Sequence, residues 1–214
     1  TEALRTSGPV LLLPNHASWL DWLFLGVCLD DDWKFVTSSE TAQTSWLHRK
    51  MMINRRTFPI VTTSPYAVKH MAAFLEQGGR LVLFPEGRLS QTGSLMKLFD
   101  GTGFLIFKTR AKVITAHLRG ALRVPFSPHP GWRRLFTPVS AHFSDPITLP
   151  HPGDVSTTQA RGILTSWLRD RMLRQQFDVE MEFGPSHLLE SIGETGRRLP
   201  AFEVLRDTTR QGLP

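Results

Sequence analysis

The chain has 214 residues, 41% hydrophobic and 21% charged, with a formal net charge of +6. That is an ordinary globular composition for one large domain, or one domain and a tail, and it excludes a low-complexity chain. A single cysteine, Cys28, excludes an internal disulfide and a multi-cysteine metal site, and no apolar run approaches the ~20 residues of a membrane span.

The positive charge favours anionic partners such as phosphates, anionic lipid or nucleic acid. Fourteen Phe and six Trp against one Tyr leave two readings open, core filler or rings that line a greasy pocket or touch lipid. Cys28 sits among apolar neighbours and is expected to be a buried, inert thiol. Residue 1 is Thr, no signal peptide is visible, and the chain reads as a piece of something longer.

Val10 to Leu13 is a short apolar run stopped by Pro14 and Asn15, a buried strand and its turn. Ser18 to Leu29 reads as a helix that is apolar all round, hence buried or against lipid, with Ser18-x-x-Asp21 as its capping box. "WKFVTS" (33–38) predicts a strand, 44–52 a helix ending in His48, Arg49 and Lys50, and "FPIV" (58–61) a strand. Ala67 to Gln77 is amphipathic, with Val68, Met71, Ala72 and Leu75 on one stripe, and Gly78-Gly79 ends it. "RLVLF" (80–84) is a buried strand that runs into the loop "PEGRLSQTG". A helix over 103–109 and a strand over 112–118 follow, with a further edge over 140–149. After a turn at 150–154, a long helix to about 178 places Ile163, Leu164, Trp167, Leu168 and Met172 inward.

Strands alternating with helices predict an α/β fold: a mixed, largely parallel sheet flanked by helices, with a C-terminal helix and a linker tail. The expected organisation is one domain over 1–184, then a short helix (186–192) and linker over 185–214.

Two stretches carry candidate chemistry. In a regular helix a five-residue step turns about 500°, so His16 and Asp21 point about 140° apart. They meet only if His16 lies in the turn before the helix and Asp21 in its first turn. There an aspartate bonded to one ring nitrogen leaves the other free to take a proton from a hydroxyl. A capping Asp beside a structural His is the competing reading. The second stretch, "FPEGR", puts Glu86 and Arg88 at the C-terminal end of a buried strand, where α/β folds bind ligands. Gly87 and Gly93 let the backbone approach a bound group, and Arg88 suits a bidentate grip on phosphate. A surface turn with an internal Glu–Arg pair competes with that reading.

"NHxxxxD" (15–21) followed about 65 residues later by "FPEG" (84–87) resembles the glycerolipid acyltransferases of the 1-acylglycerol-3-phosphate type. "FPEGRLSQTGSLMKLFDGTGF" (84–104) and "AVKHMAAFLEQGG" (67–79) are similar to one branch. That branch is the acyltransferase portion of bifunctional 2-acylglycerophosphoethanolamine acyltransferase/acyl-ACP synthetases.

The resemblance implies acyl transfer without metal or cofactor, from an acyl carrier protein or CoA thioester to the free hydroxyl of a lysophospholipid. His16 would be the base and Asp21 its orienting partner. Asn15, Glu86, Gly87, Arg88, Ser90 and Lys97 would bind substrate. Thr62 stands where the family carries a phosphate-contacting arginine, and Lys97 with Asp100 replaces a basic pair. Fewer cations favour a diester head group such as phosphoethanolamine, whose ammonium Asp100 could meet.

The resemblance also implies work at the cytoplasmic face of the inner membrane, peripherally or within a larger membrane-bound chain. "LPAFEVLRDTTRQGLP" (199–214) is similar to the opening of a fused adenylate-forming domain. Lys108, Arg110, Lys112, Arg119, Arg123 and "PGWRRLF" (130–136), two arginines flanked by Trp and Phe, form a basic series that suggests an anionic membrane surface, with an acidic carrier protein as a second candidate partner and a solvated basic face as the competing reading. No recognisable nucleic-acid-binding motif is present. A 1-acylglycerol-3-phosphate acyltransferase and a catalytically silent lipid-binding module are the alternatives.

Overall fold

Four consecutive apolar residues, Val10 to Leu13, are fully buried and form the spine of the molecule. In the computed structural model they belong to β1 (Val10–Pro14), an inner strand with parallel neighbours on both sides. The structure describes residues 2–39, 54–62, 64, 66–124, 127–128, 138–149 and 152–183. The helix expected over 44–52, the "PGWRRLF" segment, the short helix at 186–192 and the linker tail lie outside the described residues.

The other strands are β2 (Trp33–Ser38), β3 (Thr57–Ile60), β4 (Arg80–Val82), β5 (Lys112–Arg119) and β6 (Ser140–Phe143). They join in one sheet of order β3-β2-β4-β1-β5-β6, parallel except for the antiparallel β5–β6 pair. Among the described residues the α-helices are α1 (Asp21–Gly26), α2 (Tyr66–Glu76), α3 (Asp100–Thr109) and α4 (Thr157–Phe183). This is the mixed, largely parallel sheet with flanking helices and a C-terminal helix that the alternating pattern predicts.

Alternation along each strand sends its side chains to opposite faces of the sheet. On one face Leu11, Leu13, Leu81 and Val113 pack with Met71 and Leu75 of α2, Leu105 and Ile106 of α3, and Leu164, Leu168 and Met172 of α4. On the other, Val10, Leu12, Val82 and Ile114 pack with Leu25 of α1 and with Leu4. α3 and α4 approach closely at Gly103, where a Cβ would stand 2.3 Å from the Arg161 carbonyl oxygen.

Several sequence expectations need correction. The helix read over Ser18 to Leu29 is the six-residue α1, and it is not apolar-and-buried all round. Trp19, Leu23 and Val27, four residues apart, are exposed on one side. Cys28 lies beyond the end of α1 and is exposed, not buried. Arg56 instead seals this end: it donates to the carbonyls of Gly26, Leu29 and Asp30 at 3.0–3.1 Å. Ile163 is half exposed, because the buried stripe of α4 runs through Ala160, Leu164, Leu168, Met172 and Val179.

The basic series of the second half divides along β5. Lys108, Arg110 and Lys112 lie where the strand begins, and Arg119 and Arg123 where it ends. Seven steps of extended chain separate Lys112 from Arg119 by roughly 23 Å. Lys108 pairs with Glu76 at 3.8 Å and Lys112 donates to the Ser7 carbonyl at 3.1 Å. Among the described residues no helix is long and apolar enough to cross a membrane.

His117 on β5 is 8% exposed, and burial pushes its pKa down to about 4 against a nearby Glu180 that raises it. The unfolded chain takes the proton near 6.5 and the folded chain only near 4, so the unfolded state binds more protons in between. Stability therefore falls as the pH drops through that window, by on the order of 3 kcal/mol from this group. Denaturant midpoints at about pH 7 and pH 5 check this. His117→Gln is expected to show a smaller acid loss than the unmodified protein.

Candidate active site

The parallel strands β1 and β4 are neighbours, so their C-terminal ends deliver the His16 turn and the Phe84–Arg88 loop to the same edge of the sheet. Open α/β sheets bind ligands along that edge. Asn15 continues the β1–β5 ladder with its side chain. Its Oδ1 accepts the Leu118 N–H at 2.7 Å and its backbone N–H donates to the Ala116 carbonyl at 3.2 Å. The next residue, His16, leaves the sheet in a turn, and Asp21 opens α1.

His16 Nδ1 lies 2.9 Å from Asp21 Oδ2. The same oxygen accepts the backbone N–H of Ala17 at 2.7 Å and of Ser18 at 2.9 Å. Asp21 is fully buried, and its Oδ1 has no hydrogen-bond partner. An ionised carboxylate only accepts, so the network assigns the proton of the neutral imidazole to Nδ1 and leaves a lone pair on Nε2. Nε2 has no partner among the described residues, and the His16 side chain keeps 19% of its exposure. The ring stacks on Phe84, with centroids 4.1 Å apart and planes at 25°.

The β4–α3 loop holds His16 from the other side. The His16 N–H donates to Glu86 Oε1 at 2.9 Å, and the His16 carbonyl accepts the Ser90 N–H at 2.7 Å. Glu86 Oε2 accepts the Met96 N–H at 2.8 Å. Glu86 is 1% exposed, and desolvation raises its pKa against the lowering effect of the two backbone hydrogen bonds. Gly87 takes a left-handed conformation at φ 63°, and a Cβ there would meet the Phe99 ring at 2.5 Å. Only glycine fits both demands.

The six residues expected to bind substrate therefore divide. Asn15, Glu86 and Ser90 point into the protein and fix the His16 turn. Ser90 is buried, with its Oγ donating to the Ser94 carbonyl at 2.8 Å. Gly87, Arg88 and Lys97 are exposed beside the site, and Arg88 and Lys97 make no ion pair among the described residues. Glu86 does not pair with Arg88, as a simple surface turn would require; it binds two main-chain N–H groups. Asp100 is exposed at the start of α3. Sequence reasoning missed Phe84 as the surface under the imidazole and missed the Met96 and Leu118 anchors. The last two are backbone groups, which no residue type announces.

Glu86→Gln puts this scaffold to the test. Glutamine offers one acceptor where Glu86 offers two, so one buried N–H faces an NH2 group. The expected loss is about 1–3 kcal/mol of stability, read from the denaturant midpoint, with a parallel loss of activity as His16 shifts.

Chemically, the edge offers an imidazole with one lone pair directed outward, a buried carboxylate behind it, and two unpaired cations nearby. Among the described residues no group of His, Cys, Asp and Glu side chains is arranged to hold a metal ion.

The Acyltransferase family model matches residues 1–119. The fold is similar to the crystal structure of the 1-acyl-sn-glycerophosphate (LPA) acyltransferase PlsC from Thermotoga maritima. The TM-score is 0.56 at 16% identity, over 82% of this chain and 69% of that one.

Proposed function

This chain belongs to the acyltransferase family, and from that premise we propose that it acylates the free hydroxyl of a lysophospholipid. The acceptor is 2-acylglycerophosphoethanolamine, and the donor is a fatty acyl thioester of acyl carrier protein or CoA. His16 Nε2 takes the hydroxyl proton as the oxygen attacks the thioester carbonyl. The tetrahedral intermediate collapses with loss of the thiolate, which recovers the proton from the imidazolium. Asp21 holds the ring in the Nδ1–H tautomer and stabilises the imidazolium. Arg88 and Lys97 receive the phosphate, and the exposed Gly87 lets it come close to the loop.

The observation that carries the reading is the 2.9 Å His16–Asp21 bond, with Nε2 left free at a strand edge that also carries two unpaired cations. The exposed Trp19, Leu23 and Val27 beside this edge support peripheral contact with the membrane that holds the acceptor. The site of action in this reading is the cytoplasmic face of the inner membrane.

The test is an assay of lysophospholipids with different head groups against acyl-CoA and acyl-ACP. Diacyl product from lysophosphatidylethanolamine is expected. No product from any lysophospholipid with either donor would refute the proposal. A second reading, 1-acylglycerol-3-phosphate as acceptor, is favoured by the activity named for the Thermotoga maritima enzyme. It predicts that lysophosphatidate is the preferred acceptor in the same assay.

A further inference from the structure

The His16 ring has a third restraint besides its Asp21 bond and the main-chain bonds of its turn. One of its faces lies on the Phe84 ring, with centroids 4.1 Å apart and planes 25° from parallel. Phe84 is the second residue beyond β4. Leu83 before it still donates its N–H to the Leu12 carbonyl at 3.0 Å, and the Phe84 carbonyl accepts the Gly87 N–H at 3.1 Å. The Phe84 side chain packs on the cluster that holds Leu12, Leu25 and Val82. Sheet and core therefore hold Phe84 in place, independently of Asp21.

A hydrogen bond at Nδ1 fixes one atom of the imidazole but not the plane of the ring. The stack fixes that plane, and with it the direction of the Nε2 lone pair. Phe84 also acts on charge. An aromatic face carries the negative part of its quadrupole and attracts a cation. The imidazole is neutral before it takes the hydroxyl proton and positive afterwards. The stack is then stronger in the transition state than in the ground state, which is the condition for raising kcat rather than tightening binding. Asp21 meets the new charge at the ring edge, and Phe84 meets it at the ring face.

We propose that Phe84 is a positioning residue for the acyl transfer: it sets the plane of the His16 imidazole and stabilises the imidazolium through its π face. The inference rests on the reading of His16 as the general base and adds a residue to that mechanism. A ring that merely fills space beside His16 is the competing account, and leucine would serve it nearly as well.

The test is a series at position 84, assayed with lysophosphatidylethanolamine and an acyl thioester, with kcat and KM measured separately. Phe84→Leu is expected to lower kcat by about 3- to 30-fold with KM changed by less than about twofold, and Phe84→Tyr to restore it. Phenylalanines carrying one, two and three ring fluorines keep the shape and the fold while they drain the π face, so kcat is expected to fall with each fluorine. A flat fluorine series, or full activity in Phe84→Leu, overturns the proposal and leaves the acyltransferase reading standing. In the His16→Ala background Phe84→Leu is expected to add no further loss. The same loss there would mean that Phe84 does not act through His16. No turnover by the unmodified chain counts against the acyltransferase reading instead, and the stack is then judged by NMR. The carbon-bound ring protons of His16 are expected upfield of those of the exposed His70, because they lie over an aromatic face, and to lose that offset in Phe84→Leu. Absence of the offset in the unmodified chain overturns the stack.

Discussion

Replacing His16 with alanine is expected to lower kcat for acyl transfer by about 10²- to 10⁴-fold, the usual cost of removing a general base. The loss is expected in kcat and kcat/KM together, because the imidazole acts when the hydroxyl proton moves and contributes little to holding the lipid. Folding should change little. The bonds that anchor this turn through His16 run to its main chain, from Glu86 and Ser90, and the alanine variant keeps both. An inactive protein with a nearly unchanged melting temperature is therefore the predicted outcome. Activity within a few-fold of the unmodified protein would remove His16 from the mechanism.

Asp21→Ala is expected to damage both activity and folding. One oxygen of Asp21 gathers three donors, the His16 ring and the N–H groups of Ala17 and Ser18. Removing it strands two N–H groups at a fully buried position, at about 1–3 kcal/mol each, so a stability loss of about 2–6 kcal/mol is expected. Activity should fall as far as in His16→Ala, since the ring loses both its orientation and the charge that stabilises its protonated form. Asp21→Asn separates the two roles. Its amide oxygen can keep all three bonds, so the turn should survive while the negative charge behind the imidazolium is lost. Because the pair acts as a unit, the double alanine variant should be scarcely slower than either single one. Additive losses would mean that the two residues work separately.

Much of this architecture is legible in the residues. Val10 to Leu13 reads as a strand buried on both faces because four apolar residues run together without alternation. The same holds for Leu81 and Val82. Helical geometry requires His16 before the helix and Asp21 inside it if they are to touch, and the structure has that arrangement. What could not be read depended on where elements stop and which way short loops turn. α1 is only six residues long, so Cys28 and Val27 fall beyond it and face solvent despite their apolar context. Glu86 looks outward-facing in a list of residues, yet two main-chain N–H groups, one 70 positions away in the chain, draw it inside. The basic residues between 108 and 123 look like one patch only while β5 is imagined without its length.

The sharpest measurement is on the protein itself during one turnover. Mixing the full chain with acyl thioester, without acceptor and then with lysophospholipid, and following intact-protein mass alongside product, separates a base from a nucleophile. A proton-taking His16 predicts an unmodified mass throughout, with phospholipid formed only when acceptor is present. A covalently acylated protein that passes its acyl group to the added lipid would contradict it.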